Sequence, residues 1–395
     1  MLDALFGLGQ LQALVDDPDI ENIDVNGCDR VWATYANGQK ILVDPIADSD
    51  TELVEMLRSA AARFGLSERR FDTAHPELDL RLPDGSRLSA LMSVVSRPSV
   101  SIRRHRYVDL SLSELQTLGT IDEFLHSFLA AAVRARKNIV VGGAMNSGKT
   151  TMIRALSAEI PARERVVTIE QAFELGLDAM PNRHPDLVAL ESRNANTEGE
   201  GGVSMARLVR RALRMNADRV IVGEVLGDEV LPMLNAMSQG RSGSMCTIHA
   251  DSSSGVFRRL ASYAVQAPER LPIESTNMLI AGAVHFVIFV DAVEEPPDKM
   301  MTSDMHYLSW RHAGKSEDST GNVSRFEALR RQRYVSSVRE VIDAEGLHVV
   351  SNEVYHSDRS RGMVSGAPFR SRTLEDLVEC GFEPASSRSD MATWR

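Results

Sequence analysis

The sequence predicts an α/β protein: a phosphate-loop domain on a mostly parallel sheet, preceded by a smaller α+β domain. Three observations carry that expectation. First, the apolar run Asn138-Ile139-Val140-Val141-Gly142 meets the loop Gly143-Ala144-Met145-Asn146-Ser147-Gly148-Lys149-Thr150, and a helical stretch opens at Thr151. That is G-x-x-x-x-G-K-[ST] in its strand–loop–helix setting. Second, from Ile121 onward strand-like runs alternate with helical periods, the pattern of a parallel sheet covered by helices. Third, before about Arg106 the chain reads as short alternating strands around turn dipeptides, with one helical period.

The elements follow in order. Residues 23–27 and 31–35 alternate as strands, with Asn26-Gly27 as turn chemistry. Residues 51–64 place Leu53, Met56, Leu57 and Ala60 on one helical face. Residues 80–91 read as two strands around an Asp84-Gly85 hairpin turn, and 99–104 as the last strand of a domain spanning 1–106. A polar linker, 107–120, leads to a second domain, 121–357. There helix 121–134 feeds the phosphate-loop strand. Strand 165–169, helix 204–215, strand 219–222, helix 228–237, strand 244–248 and strand 284–290 complete the series. Residues 191–202 are rich in Asn, Glu and Gly and read as a loop, and 296–322 form a polar insertion of low periodicity. A late hairpin, 335–342 with 349–355, turns at Glu345-Gly346. Residues 358–395 read as a turn-rich tail with a short helix at 374–379.

Composition narrows the function classes. Lys and Arg number 44 against 55 Asp and Glu, a net charge of −11, which argues against a dedicated nucleic-acid binder. Cys28, Cys246 and Cys380 are widely spaced and show no zinc or disulfide pattern, which fits a reducing cytoplasm. The first residues lack the basic region of a signal peptide. No apolar run reaches the roughly 18 residues a membrane span needs, so any membrane role is expected to be peripheral.

The loop chemistry is that of ATP with Mg²⁺. Backbone amides of 143–151, Thr151 included, would cradle phosphates at a helix N-terminus. Lys149 would reach the β- and γ-phosphates, and the Thr150 hydroxyl would hold Mg²⁺. Hydrolysis also needs carboxylates for the metal and the attacking water. Glu224 ends the strand after Arg219-Val220-Ile221-Val222-Gly223, and Glu170 ends the one after Val166-Val167-Thr168-Ile169. Ligands bind at that carboxyl edge in open α/β sheets. A single glutamate after a strand is more often a cap or loop residue, but two beside a phosphate loop favour a nucleotide role. His249 follows a third strand; it reads either as a hydrogen-bonded structural residue or as a sensor of the γ-phosphate. Arg207, Arg210, Arg211 and Arg214 share a helix face, either solvated or offered to a neighbouring subunit's phosphate site.

Taken together, Val167 to Glu170, Leu213 to Val225 and Gly243 to Ala250 resemble the secretion ATPase superfamily, the hexameric ATPases of type II and type IV secretion and of type IV pili. Asp84 to Arg87 and Ser99 to Arg104 resemble its CpaF/TadA branch, which drives Tad/Flp pilus assembly. The likeness runs from about Asp17 to Tyr355. It implies a RecA-like P-loop ATPase domain joined to an N-terminal domain, assembled as a homo-hexameric ring, with nucleotide between the two domains. By position, 143–150 would be Walker A, Gly223-Glu224 the end of Walker B, Glu170 part of the Asp box and His249 part of the His box. Arg87 and Arg103 would reach the phosphates from the N-terminal domain. The implied partners are inner-membrane platform proteins, and the implied location is cytoplasmic, at the membrane through those partners. Three positions depart from the family pattern. Gln171 replaces an Asp, Leu226 an Arg, and Arg241 a His, changes that bear on the rate of hydrolysis more than on binding. A weakly hydrolysing regulatory subunit and a RecA-like nucleic-acid translocase remain the alternatives.

Overall fold

Alternation of apolar and polar residues gives the N-terminal strands one buried face and one polar face. The computed structural model describes residues 8–35, 39–64, 70–104, 110–193, 195, 199–238, 242–295, 330–357 and 363–384, which divide into two compact units. The first, within 1–106, begins with α1 (Leu11–Asp16), β1 (Ile20–Asn26), β2 (Val31–Tyr35) and β3 (Lys40–Val43). Then come α2 (Asp50–Phe64), β4 (Glu77–Arg81), β5 (Arg87–Leu91) and β6 (Ser99–Arg103). The strands form an antiparallel sheet in the order β3-β2-β1-β6-β5-β4. Leu78, Leu80, Leu88, Ala90, Val100 and Ile102 bury one face in the same core as Leu53 and Leu57 of α2. Gly27 makes the β1–β2 turn at φ +78, and the Arg97 guanidinium occupies the space a Cβ would need.

The second unit opens with α3 (Leu112–Thr117) and α4 (Glu123–Arg134) and continues through β7 (Ile139–Gly143), α5 (Lys149–Ser157), β8 (Val166–Glu170) and β9 (Leu187–Glu191). It proceeds with α6 (Met205–Ala212), β10 (Arg219–Val225), α7 (Val230–Ser238), β11 (Met245–His249), α8 (Gly255–Gln266), α9 (Ile273–Ala283) and β12 (Phe286–Glu295). Last come β13 (Arg330–Glu345), β14 (His348–Ser357), β15 (Met363–Ser365) and α10 (Ser371–Glu379). Among the described residues the strand order is β15-β14-β13-β12-β7-β11-β10-β8-β9. The pairs from β12 across to β9 are parallel, and the late hairpin adds an antiparallel flank. Strands β7 and β8 are buried at every residue, as expected of a sheet covered on both faces.

Buried Asn138 joins the entrances of two neighbouring strands. Its Oδ1 accepts from the amides of Gly243 and Ser244, while its Nδ2 donates to the carbonyls of Met237 and Ala283. The side chain thereby ties the start of β7 to the backbone that leads into β11.

Two expectations about boundaries are corrected. Within 107–120, read as polar linker, Leu112–Thr117 form a helix, α3. Ser111 and Glu114 close a capping box around its start, and Leu112 and Leu115 enter the core. The stretch read as a C-terminal tail contains α10, longer than the helix expected at 374–379. Leu377 and Phe382 are buried in the core, and the Phe369 and Phe382 rings pack against Phe128 of α4. An aromatic cluster this distant in sequence leaves no periodic trace. The insertion at 296–322 lies outside the described residues.

Arg219 is fully buried where β10 enters the sheet. Its guanidinium bonds Glu164 through Nε at 2.6 Å and Nη2 at 3.2 Å, and donates to the Val133 carbonyl at 2.8 Å. Removing one partner leaves the other charge desolvated. Glu164→Ala is therefore expected to destabilise the domain by about 3 kcal/mol or more, read as a lowered urea midpoint, with Glu164→Gln less damaging. A loss well below about 1 kcal/mol would mean that Arg219 finds water or another acceptor.

Candidate nucleotide-binding site

The site grows from the carboxyl edge of the parallel sheet. Register sets Gly143 opposite both His249 of β11 and Val290 of β12, so the phosphate loop leaves β7 between two neighbouring strand ends. Glycine is required at that exit: a Cβ on Gly143 would lie 2.4 Å from Ser147 Oγ and 2.5 Å from the Val290 carbonyl oxygen. Asn146 at φ 58 and Gly148 at φ 100 bend the loop back, and α5 starts at Lys149. Ala144 and Met145 lie on the loop's outer course, Met145 being exposed, and Thr150 and Thr151 follow in the first turn of α5.

Strand β10 brings Glu224 to this edge through an irregularity. Pairing with β11 shifts between Val222 and Val225, and Thr247 Oγ1 donates to the Gly223 carbonyl at 2.5 Å. A bulge of this kind turns a side chain away from its regular direction. Glu224 Oε1 then lies 2.7 Å from His249 Nε2, and His249 Nδ1 lies 3.1 Å from Lys149 Nζ. Lys149 also donates to the Ala144 carbonyl at 2.8 Å. An ammonium only donates and a carboxylate only accepts, so an imidazole serving both is the neutral Nε2–H tautomer. His249 thus joins the loop lysine to the strand-end glutamate.

Glu170 is placed differently. It is 3 % exposed, and its Oε2 accepts from the amides of Glu174 at 2.7 Å and Leu175 at 2.8 Å. Arg154 of α5 donates to the carbonyls of the same two residues. The 170–175 turn is thereby clamped to the helix that carries Lys149. Gly223 backs this carboxylate, since a Cβ there would meet Glu170 Cγ at 3.0 Å. The structure thus adds a turn-holding role that spacing alone did not reveal. Burial outweighs those two amide bonds and raises the carboxyl from 4.5 to about 7.

In the N-terminal unit Arg87 and Arg103 are direct partners across β5 and β6, and Arg81 partners Arg87 across β4. Paired residues share a face, so three arginines line up across the sheet, all on the side away from the leucine core. Arg81, which was not singled out from the sequence, precedes Asp84 by three residues, as Arg87 follows it by three. On α6, Arg207, Arg210 and Arg211 are exposed, and Arg210 pairs with Glu269 at 3.1 Å. Gln171 and Leu226 are exposed, while Arg241 lies outside the described residues.

These features suit a nucleoside triphosphate with Mg²⁺. The loop supplies glycines where a side chain would not fit, a helix N-terminus and a lysine. Ser147 Oγ is buried with no hydrogen-bond partner among the described residues, as suits a loop built to close around acceptor oxygens. Thr150 and Glu224 carry oxygens of the kind a hard cation takes.

Fold and site together define a protein of the P-loop ATPase class, with a mostly parallel sheet and an N-terminal α+β domain. The chain belongs to the type II/IV secretion system protein family, whose model matches residues 6–367. It is 34 % identical over 295 residues to a putative conjugal transfer protein of Mycobacterium tuberculosis (strain ATCC 25618 / H37Rv), covering 72 % of this chain and 80 % of that one. It is 33 % identical over 316 residues to the type IV secretion system protein PtlH of Bordetella pertussis, covering 72 % and 89 %. Among solved structures, the Legionella pneumophila ATPase DotB superposes with a TM-score of 0.53 at 18 % identity, covering 72 % and 75 %. Among the described residues, no helix is long and apolar enough to cross a membrane.

The raised Glu170 carboxyl makes stability depend on pH. Between 4.5 and about 7 the unfolded chain releases this proton while the fold retains it, so stability is fullest at low pH and is lost as pH rises through about 7. Glu170→Gln keeps an oxygen for the two amides and removes the titration. Its stability relative to wild type is expected to improve by about 1–3 kcal/mol between about pH 5 and pH 8, measured by urea unfolding. An equal gap at both values would show that the carboxyl ionises in the fold at no cost.

Proposed function

We propose that this chain is the ATP-hydrolysing motor of a secretion or Tad/Flp-type pilus assembly system, working in the cytoplasm as a hexameric ring docked on inner-membrane platform proteins. The observation that carries the catalytic part is the chain of contacts Lys149–His249–Glu224. It links the group that binds phosphate to the acid that would act on water. The assembly and the membrane partners rest on family membership, supported by relatives named for conjugal transfer and type IV secretion.

In this reading the amides of 143–151 and Lys149 hold the β- and γ-phosphates. When bound, Mg²⁺ supplies charge neutralisation at the transferred phosphoryl group, held by Thr150 and Glu224 with Glu170 in support. To take up phosphates, Lys149 exchanges its bonds to the Ala144 carbonyl and His249 for anionic oxygens. That exchange is favourable because bonds from the ammonium to anionic oxygens replace its bonds to neutral acceptors. Losing the Lys149 contact frees His249 Nδ1, while Nε2 keeps Glu224 oriented, so His249 reports the nucleotide state to β10 and β11. Arg87 and Arg103 add cationic contacts from the N-terminal domain, and release of the γ-phosphate relaxes them.

Lys149→Ala is expected to abolish nucleotide binding. Glu224→Gln is expected to retain it while lowering Mg²⁺-dependent hydrolysis about 100-fold or more. Both are read by nucleotide titration and phosphate release on assemblies whose size is measured in parallel. Tight binding without turnover by an assembled wild-type ring would overturn the motor and leave a regulatory subunit, the role that Gln171 and Leu226 would then explain. Hydrolysis that rises with added single-stranded DNA would instead favour a nucleic-acid translocase.

A further inference from the structure

The strand that follows the polar insertion returns to the phosphate loop. Exposed Arg333 of β13 donates from Nε to the Asn146 carbonyl at 3.2 Å, and its Cδ lies 3.0 Å from the place a Cβ on Gly148 would occupy. Asn146 and Gly148 are the loop's two left-handed residues, at φ 58 and φ 100. For an asparagine that backbone is uncommon and persists where its surroundings hold it. Arg333 therefore touches the loop at both of its left-handed residues. Further along the same strand, Ser337 Oγ lies 2.9 Å from Ser253 Oγ, and Arg339 Nε donates to that oxygen at 2.8 Å. Ser253 lies in the turn that follows His249. One strand thus ties down both the phosphate loop and the turn beyond the histidine.

We propose that Arg333 is a positioning residue for the nucleotide. It holds the Asn146 carbonyl outward, so that the loop amides face the phosphates, and it places a positive charge beside the N-terminus of α5. An arginine suits this place because its Nε–H is directional within a rigid plane while the charge is delocalised over the rest of the group. The loop is common to both nucleotides, so the effect falls equally on di- and triphosphate. This inference rests on the nucleotide reading of the loop.

The test is fluorescence titration of the full chain with methylanthraniloyl-ADP and, with Mg²⁺, methylanthraniloyl-ATP. Wild type is compared with Arg333→Ala, Arg333→Gln, Arg333→Lys and Lys149→Ala. Arg333→Ala and Arg333→Gln are expected to weaken both nucleotides by about tenfold, with Arg333→Lys recovering part of the loss and thermal unfolding without nucleotide little changed. Unchanged affinity in Arg333→Ala overturns the proposal. A lowered unfolding midpoint with unchanged affinity does so too, by showing a purely structural contact. Weakening confined to the triphosphate also overturns it, because Arg333 would then meet the γ-phosphate directly. If Lys149→Ala binds as wild type does, the nucleotide reading of the loop fails and this proposal falls with it; that control tells the two failures apart.

Discussion

Parallel pairing among β12, β7, β11, β10 and β8 is the constraint on which the site depends. These strands are sealed between helices, so each backbone polar group must find its partner in a neighbouring strand. Once paired, they leave little freedom of register, because a slip of one residue exchanges the two faces. Gly143, His249 and Val290 consequently end level with one another. Asn138 at the opposite end of β7 adds a polar lock, spending its amide on four backbone groups. Chemistry at the carboxyl edge is the result of alignment imposed through the whole thickness of the sheet.

Within that frame, charge is balanced through neighbours. Lys149 and Glu224 carry opposite charges and meet through an imidazole whose neutral tautomer satisfies both. Glu170 shows the opposite solution. Its carboxylate is withdrawn from water, and two backbone amides do not fully replace the lost hydration, so its affinity for a proton rises. Its anchoring of the 170–175 turn, shared with Arg154, makes it part of the support for α5.

The N-terminal unit solves a different problem with an antiparallel sheet. Its leucines face α2, which leaves the other face for polar groups. Direct cross-strand partners then collect Arg81, Arg87 and Arg103 into one row.

The fold class, most strand and helix positions, and the placing of Glu224 and His249 at the ends of strands were legible in the amino-acid sequence. That is because strand periodicity, glycine placement and the strand–loop–helix grammar are local properties. The 51–64 helix and the late hairpin were legible for that reason, each beginning or ending within a few residues of the observed α2, β13 and β14. Helix α3 was equally local, and its Ser111–Glu114 capping box was there to be read beneath a polar composition. Tertiary structure decided the rest. The bulge that turns Glu224 toward His249, the burial that sets the state of Glu170, the docking of α10 against Phe128, and the reach of Arg333 to Asn146 all join residues far apart in the chain. Packing and desolvation depend on which distant groups meet, and that information exists only once the chain has folded.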